Sequence, residues 1–431
     1  MATELTPAHR AWRKKIFAAT WLSYVGFYFC RKPFSAAKAG LGDEAGWSAT
    51  TLGNIWAVYL LSYAIGQFLA SAMGTRLGPR RNVLIGMALS IGVTLAMGVT
   101  LSAPVMAGLV AVNGIAQATG WSGNVGTMAA WYHRHERGRV MGLWSTNFTI
   151  GALTSGWAMA WVLGMHGDGE PAPWRWTFYA GAAVLSVVWV QFYVFQRNRP
   201  EDLGLAPIDD PVTAVDESQA PVAAEVGPRA LSRAAWTNLM LVAGFYFFAK
   251  FIRYAVWSWA AYFLVKNYGL SSARANAYST AFDVMGIAGV YFTGWASDRL
   301  FASRRAEISL IMMLGMVAST GALIAFGDTN VTVFALLLGC VGFTLYGPDA
   351  LLTGAGAMDI GGRRAATFAA AIISGFGSLG PIVQELVIAR MYDGKGGDLG
   401  PVFELLFGSA AMATLFCAIL VWRNRRGGSG I

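Results

Sequence analysis

The sequence is short of charge, of cysteine and of histidine, and each shortage removes a class of function. Only 13% of the 431 residues are charged while 55% are hydrophobic, too apolar a balance for a soluble domain of this length. The three cysteines, Cys30, Cys340 and Cys417, all fall in apolar stretches and show neither metal-ligand spacing nor a disulfide framework. They read as small packing residues. The four histidines, His9, His133, His135 and His166, lie near the N-terminus or in loops, so a histidine proton relay inside a span is not expected. No phosphate-cradling Walker loop, catalytic triad or metal cluster is legible, and patches such as GNVG and GAGAM read as close helix packing. The sequence thus predicts no enzyme, no catalytic residue, no metal and no cofactor.

What fills the chain is apolar stretches of about 20 residues, enough to cross about 30 Å of hydrocarbon. Twelve can be drawn, from 15–38 to 401–422, so the expected fold is an all-α membrane protein. The first stretch lacks a small-residue cleavage site and is read as a retained span. The net charge of +9 raises the question of nucleic acid, but its distribution answers against it. Arginine and lysine gather at both termini and in every second loop, for example Arg76, Arg80 and Arg81, or Arg299, Arg304 and Arg305. By the positive-inside rule both termini are cytoplasmic, as an even number of spans also requires. Residues 197–232, rich in Pro, Asp, Glu, Ala and Val, read as a mostly irregular cytoplasmic linker. It separates an N-terminal six-helix bundle, 1–196, from a C-terminal one, 233–431.

The halves repeat. Arg76 and Arg299, in the turns after the second and eighth spans, stand 223 residues apart. Near that offset Tyr24, Tyr28 and Arg31 match Tyr246, Lys250 and Arg253, each triple spaced by four and three on one helix face. Both arginines lie inside apolar helices, where a charge costs about 2.5–3.5 kcal/mol on insertion scales. Arginine is always protonated and offers a planar fork that suits bidentate phosphate recognition. Two forks, one from each half, predict an anionic substrate held between the halves, with occupancy coupled to alternating exposure. Snorkelling to a headgroup, or pairing with an acid, is the structural reading of Arg31.

Other polar residues in spans are candidates too. Lys250 is either a third cation toward phosphate or a substrate carboxylate, or a structural partner of Asp349 or Asp283. Asp349 follows Gly347-Pro348, read as a helix break lining the cavity. Asp283 either offsets the arginines' repulsion or is structural. Asn147 either binds substrate or satisfies a neighbouring helix. Glu385 is read as buried or at the periplasmic rim.

Six plus six spans, a central linker and basic turns after spans two and eight resemble the major facilitator superfamily. That resemblance implies a gating role for the turn Asp298-Arg299, with a solvated, topology-setting role as the alternative, while the first half has Thr75-Arg76 and departs from the pattern. The segments FYFCRKPFS, FIRYAVWSW, AAWYHRHERG, AFDVMGIAGVYFTGWASDR and LYGPDALLTGAGAMDIGGRRAATFAAA look like those of the organophosphate:phosphate antiporter family. That family includes bacterial glycerol-3-phosphate and hexose-6-phosphate transporters and a sugar-phosphate sensor. The resemblance implies phosphate-binding roles for Arg31 with Lys32, and for Arg253. It matches Tyr24, Tyr28, Trp121 and Tyr346 to aromatic positions of the family and Asp283 to an acidic one. It implies exchange of an organic phosphate for inorganic phosphate by a monomer in a bacterial-type inner membrane. A sugar-phosphate sensor of a two-component system, or a carrier of another anion such as a phosphonate, are the alternatives. The chain departs from its relatives at Gln67 and Ser258, where an opposite-charge pair is missing, and at Phe148, where a histidine is missing.

Overall fold

A proline two residues past Arg31 decides how the first span is built. Pro33 has no N–H to give and its ring crowds the carbonyl of Phe29. In the computed structural model the expected single span is therefore two helices, α1 (Pro7–Phe29) and α2 (Lys32–Ala45), with Cys30 and Arg31 at the joint. A proline in the first turn of α2 costs nothing there. The structure describes residues 5–133, 140–141, 143–166, 173–208, 232–301 and 305–426. Side chains are described throughout these ranges except at 71, 72, 75, 122, 129, 298, 354–359 and 361–371.

The remaining helices are α3 (Ala49–Met97), α4 (Ala103–Trp131), α5 (Thr146–His166), α6 (Arg175–Phe195), α7 (Arg233–Lys266), α8 (Ser272–Ser279), α9 (Ala281–Leu300), α10 (Arg305–Phe326), α11 (Val331–Ala350), α12 (Ala357–Gly394) and α13 (Gly400–Arg425). No strand occurs among the described residues. Among the described residues eight helices qualify as membrane-crossing by length and composition alone. The α1–α2 pair, the second arm of α3, α4 and the α8–α9 pair supply four more, and the architecture is that of twelve helices.

By mutual contact the chain divides into two units, Met1–Trp47 with Ile55–Pro221, and Ser48–Asn54 with Val222–Ile431. In the first, α3 is two spans joined at a corner where Gly78 takes φ +77°, a conformation that favours glycine. Asn198 accepts the Arg80 N–H at 2.8 Å and fixes that basic turn. Gly181 of α6 lies so close to the Phe29 carbonyl and the Pro33 ring that a Cβ would collide with both. The break in the first span is thus packed as well as encoded. Ile16, Trp131 and Trp144 form the buried core toward the N-terminus of α1. Of the linker, 200–203 form one 3-10 turn, and residues 209–231 lie outside the described residues.

In the second unit α7 runs unbroken, so Arg253 sits mid-helix where Arg31 sits at a joint. The break expected at Gly347-Pro348 is displaced. α11 continues through Pro348 to Ala350 and then widens into a π turn, Leu351–Gly356, ahead of α12. This is a gentler answer to a missing N–H than a full stop. The first turn of α3 groups with this unit, its Ala49 and Thr50 N–H groups donating to Asp393 at 3.1 and 2.6 Å. α9 and α11 cross at reciprocal glycines: Gly342 faces the Phe282 carbonyl and Gly289 faces the Phe343 carbonyl. A side chain at either point meets backbone that cannot swing away. Gly342→Val is expected to destabilise by about 1–3 kcal/mol, read as a lower thermal unfolding midpoint in detergent. Gly408→Val on α13, where a Cβ meets nothing, is the matched control. Cys30 and Cys417 are buried thiols, and Cys340 on α11 is exposed.

Candidate functional site

The break between α1 and α2 turns Arg31 onto α4. Arg31 is 8% exposed, and its Nε donates to Gln117 Oε1 at 2.9 Å. The same oxygen accepts the Tyr59 hydroxyl at 2.9 Å. Gln117 is held from behind: its amide donates to Asn113 Oδ1 at 3.2 Å, Ser90 donates to that oxygen at 2.6 Å, and the Asn113 amide donates to the Cys30 carbonyl at 3.0 Å. The guanidinium carbon lies 4.7 Å from the Tyr28 ring centre and 5.1 Å from that of Tyr63. Nη2 of Arg31 is buried without a hydrogen-bond acceptor among the described residues. A donor left so costs about 1–3 kcal/mol, more when charged.

Tyr24 and Trp121 continue this surface. Their rings meet edge to face at 5.4 Å, and Tyr24 meets Tyr28 at 6.0 Å. Lys32, the first residue of α2, is buried. Asn147 is buried in the first turn of α5 with both amide atoms unmatched, and no hydrogen bond joins it to Arg31. The polar network behind Arg31 was not singled out from sequence. Its signal was there: Asn113 and Gln117 are an i, i+4 polar pair in an apolar helix, and Trp121 continues the same face.

In the second unit, pairing with Lys250 is one of the readings the sequence allows for Asp349, and the hydrogen bond the structure shows goes to a different cation. Asp349 Oδ2 accepts from Arg253 Nη1 at 2.9 Å. Arg253 also lies 4.6 Å over the Tyr346 ring, whose hydroxyl donates to Asp283 Oδ1 at 2.6 Å. Arg253, Asp349, Tyr346 and Asp283 therefore form one chain across α7, α11 and α9. Of the two cations on this face of α7, the guanidinium is the one that hydrogen-bonds Asp349, through Nη1. Lys250 instead rests 3.5 Å from Ser378 Oγ and 4.8 Å from the Tyr246 ring centre. Ser258, read from sequence as the loss of a charge, donates to Glu385 Oε1 at 3.1 Å, and Gln384 donates to Oε2 at 2.9 Å. Glu385 is fully buried rather than at a rim. Arg299 is exposed in the last turn of α9, and the side chain of Asp298 lies outside the described residues.

Each unit thus presents one arginine on an aromatic bed, but the two differ electrically. Arg31 is oriented by a neutral amide and Arg253 is paired with a carboxylate. The arrangement is chemically suited to an oxyanion, and among the described residues it places no nucleophile beside a base and no metal-ligand cluster.

Comparison with known proteins places this geometry. The glycerol-3-phosphate transporter of Bacillus subtilis (strain 168) is 28% identical over 444 residues, covering 98% of this chain and 95% of its own. The membrane sensor protein UhpC of Escherichia coli (strain K12) is 26% identical, covering 90% and 88%. Among solved structures, an inward-facing, unoccupied bacterial homologue of the human lysosomal transporter Spinster superposes with a TM-score of 0.71 at 16% identity, covering 96% of each chain. That last likeness speaks for the fold alone. These proteins are transporters and a sensor, not enzymes. Residues 16–385 match the Major Facilitator Superfamily as a whole, and the chain belongs to that family.

Proposed function

We propose that this protein exchanges an organic phosphate, of the glycerol-phosphate or sugar-phosphate class, for inorganic phosphate by alternating access of its two six-helix units. The observation that carries the reading is Arg31: a buried guanidinium oriented through Nε by Gln117, with Nη2 lacking an acceptor among the described residues. Such an oriented fork suits a tetrahedral dianion better than a neutral sugar. The Bacillus subtilis relative, a glycerol-3-phosphate transporter, supports the substrate class. In the first unit the reading assigns phosphate recognition to Arg31, with Lys32, Tyr24, Tyr28, Trp121 and Asn147 around it. In the second unit it assigns the same role to Arg253 beside Tyr346, with Asp283 and Asp349 balancing charge while phosphate is absent. The basic loops orient the chain with both termini in the cytoplasm.

The test is efflux of labelled phosphate from proteoliposomes holding the full chain. External glycerol-3-phosphate or glucose-6-phosphate is expected to raise efflux at least tenfold over external chloride. Equal efflux under all conditions overturns the exchange reading. Likeness to UhpC favours a second reading, a sensor, for which the same preparation binds the phosphate ester but exchanges nothing.

A further inference from the structure

Lys250 is a cation that the phosphate reading does not use. It lies on α7 one turn before Arg253, and the two side chains share a face with Cβ atoms about 5–6 Å apart. Among the described residues the two carboxylates that the sequence offers it are hydrogen-bonded elsewhere. Asp349 is held by Arg253 at 2.9 Å, and Asp283 receives the Tyr346 hydroxyl at 2.6 Å. Among the described residues the Lys250 ammonium makes one long hydrogen bond to Ser378 and rests on the face of Tyr246, both neutral. It also feels the charge of Asp349 through space, but the hydrogen bond of that carboxylate goes to Arg253, whose own positive charge opposes Lys250. A cation over a ring gains far less than removing an ammonium from water costs.

The seat is nonetheless built. Gly377 of α12 leaves room for the Tyr246 ring, since a Cβ at 377 would strike it, and Ser378 is the next residue along. Tyr246, Ser378 and Lys250 are thereby held as a unit. This differs from a long lysine reaching for a headgroup, which would carry its ammonium to the end of the helix.

We propose that Lys250 binds a second acidic group of the substrate, a carboxylate separated from the phosphate by two or three carbons. This deepens the phosphate-exchange reading and rests on it. The division of labour follows from the chemistry of the two cations. The planar fork of Arg253 takes the phosphoryl oxygens in exchange for Asp349. The compact, rotatable ammonium of Lys250 takes a carboxylate without needing a fixed approach. The one-turn spacing sets the separation of the two acids. It fits a three-carbon phospho acid and is short for a hexose phosphate, whose far end carries only hydroxyls.

The matched probes are glycerol-3-phosphate and 3-phosphoglycerate, which share three carbons and differ in a terminal hydroxymethyl against a carboxylate. Each is titrated against labelled inorganic phosphate on the purified full chain. 3-Phosphoglycerate is expected to displace the label at a concentration at least tenfold lower than glycerol-3-phosphate. Lys250→Gln is expected to bring that ratio to near one, and Lys250→Arg to preserve it. Equal displacement by the two esters on the wild-type chain overturns the inference while leaving phosphate recognition standing. So does a Lys250→Gln variant that keeps the full ratio. A wild-type chain that binds no inorganic phosphate overturns the phosphate reading, and this inference with it.

Discussion

Arg31→Lys is expected to weaken inorganic phosphate binding by about 100-fold, close to 2.8 kcal/mol at 25 °C. The substitution keeps the charge, so the loss isolates geometry. Arg31 gives Nε–H to Gln117 and still has two terminal nitrogens for an oxyanion, one of them without an acceptor among the described residues. Lysine offers a single point of charge, which can satisfy Gln117 or the phosphate but cannot hold both in one plane. Gln117→Leu, which leaves the arginine in place but frees it to turn, is expected to cost less, about tenfold. Displacement of labelled phosphate from the purified chain measures both. Wild-type affinity in Arg31→Lys would remove the arginine fork from the mechanism.

Asp349→Asn is expected to act in the opposite direction on affinity. The native carboxylate sits 2.9 Å from Arg253 and competes with any incoming phosphate. Asparagine keeps the volume but not the charge, so phosphate binding tightens, by about tenfold, while exchange slows because release no longer has a carboxylate to take the arginine back. Stability carries a second signature. Removing one partner of a buried pair costs about 3–5 kcal/mol, and less here because 21% of the Arg253 side chain is exposed. Phosphate then replaces the missing charge, and ligand that binds only the folded state raises its stability. The variant should melt lower than wild type without phosphate and recover most of the difference when saturated. A variant whose midpoint responds to phosphate no more than wild type would show that Asp349 does not compete for Arg253.

The sequence was legible where one helix is enough to make the point. Apolar length gave the spans, and the expense of charge in hydrocarbon singled out Arg31, Arg253, Lys250 and Asp349. It was silent where two distant helices meet. Arg253 and Asp349 are 96 positions apart, and nothing in either helix says which cation reaches the carboxylate. The same holds for Ser258 and Glu385, 127 positions apart, where a serine that looked like a deleted charge turns out to hold a buried one. The joint at Arg31 is a different case. Pro33 was visible, and a proline inside a helical pattern marks a break, but the apolar run on its N-terminal side reads as one span. The repeat of Tyr24, Tyr28 and Arg31 in Tyr246, Lys250 and Arg253 is a repeat of side chains on unlike backbones, one broken and one continuous.

The cysteines have a practical consequence. Two of the three thiols are buried, and the third, Cys340, is exposed. Maleimides and spin-label reagents attack the thiolate, which needs water to form. Replacing Cys340 alone should therefore leave the chain nearly silent toward polar labels. Reporter cysteines placed at the exposed positions of Arg76 and Arg299 could then be read without stripping the two buried thiols from the helices they pack.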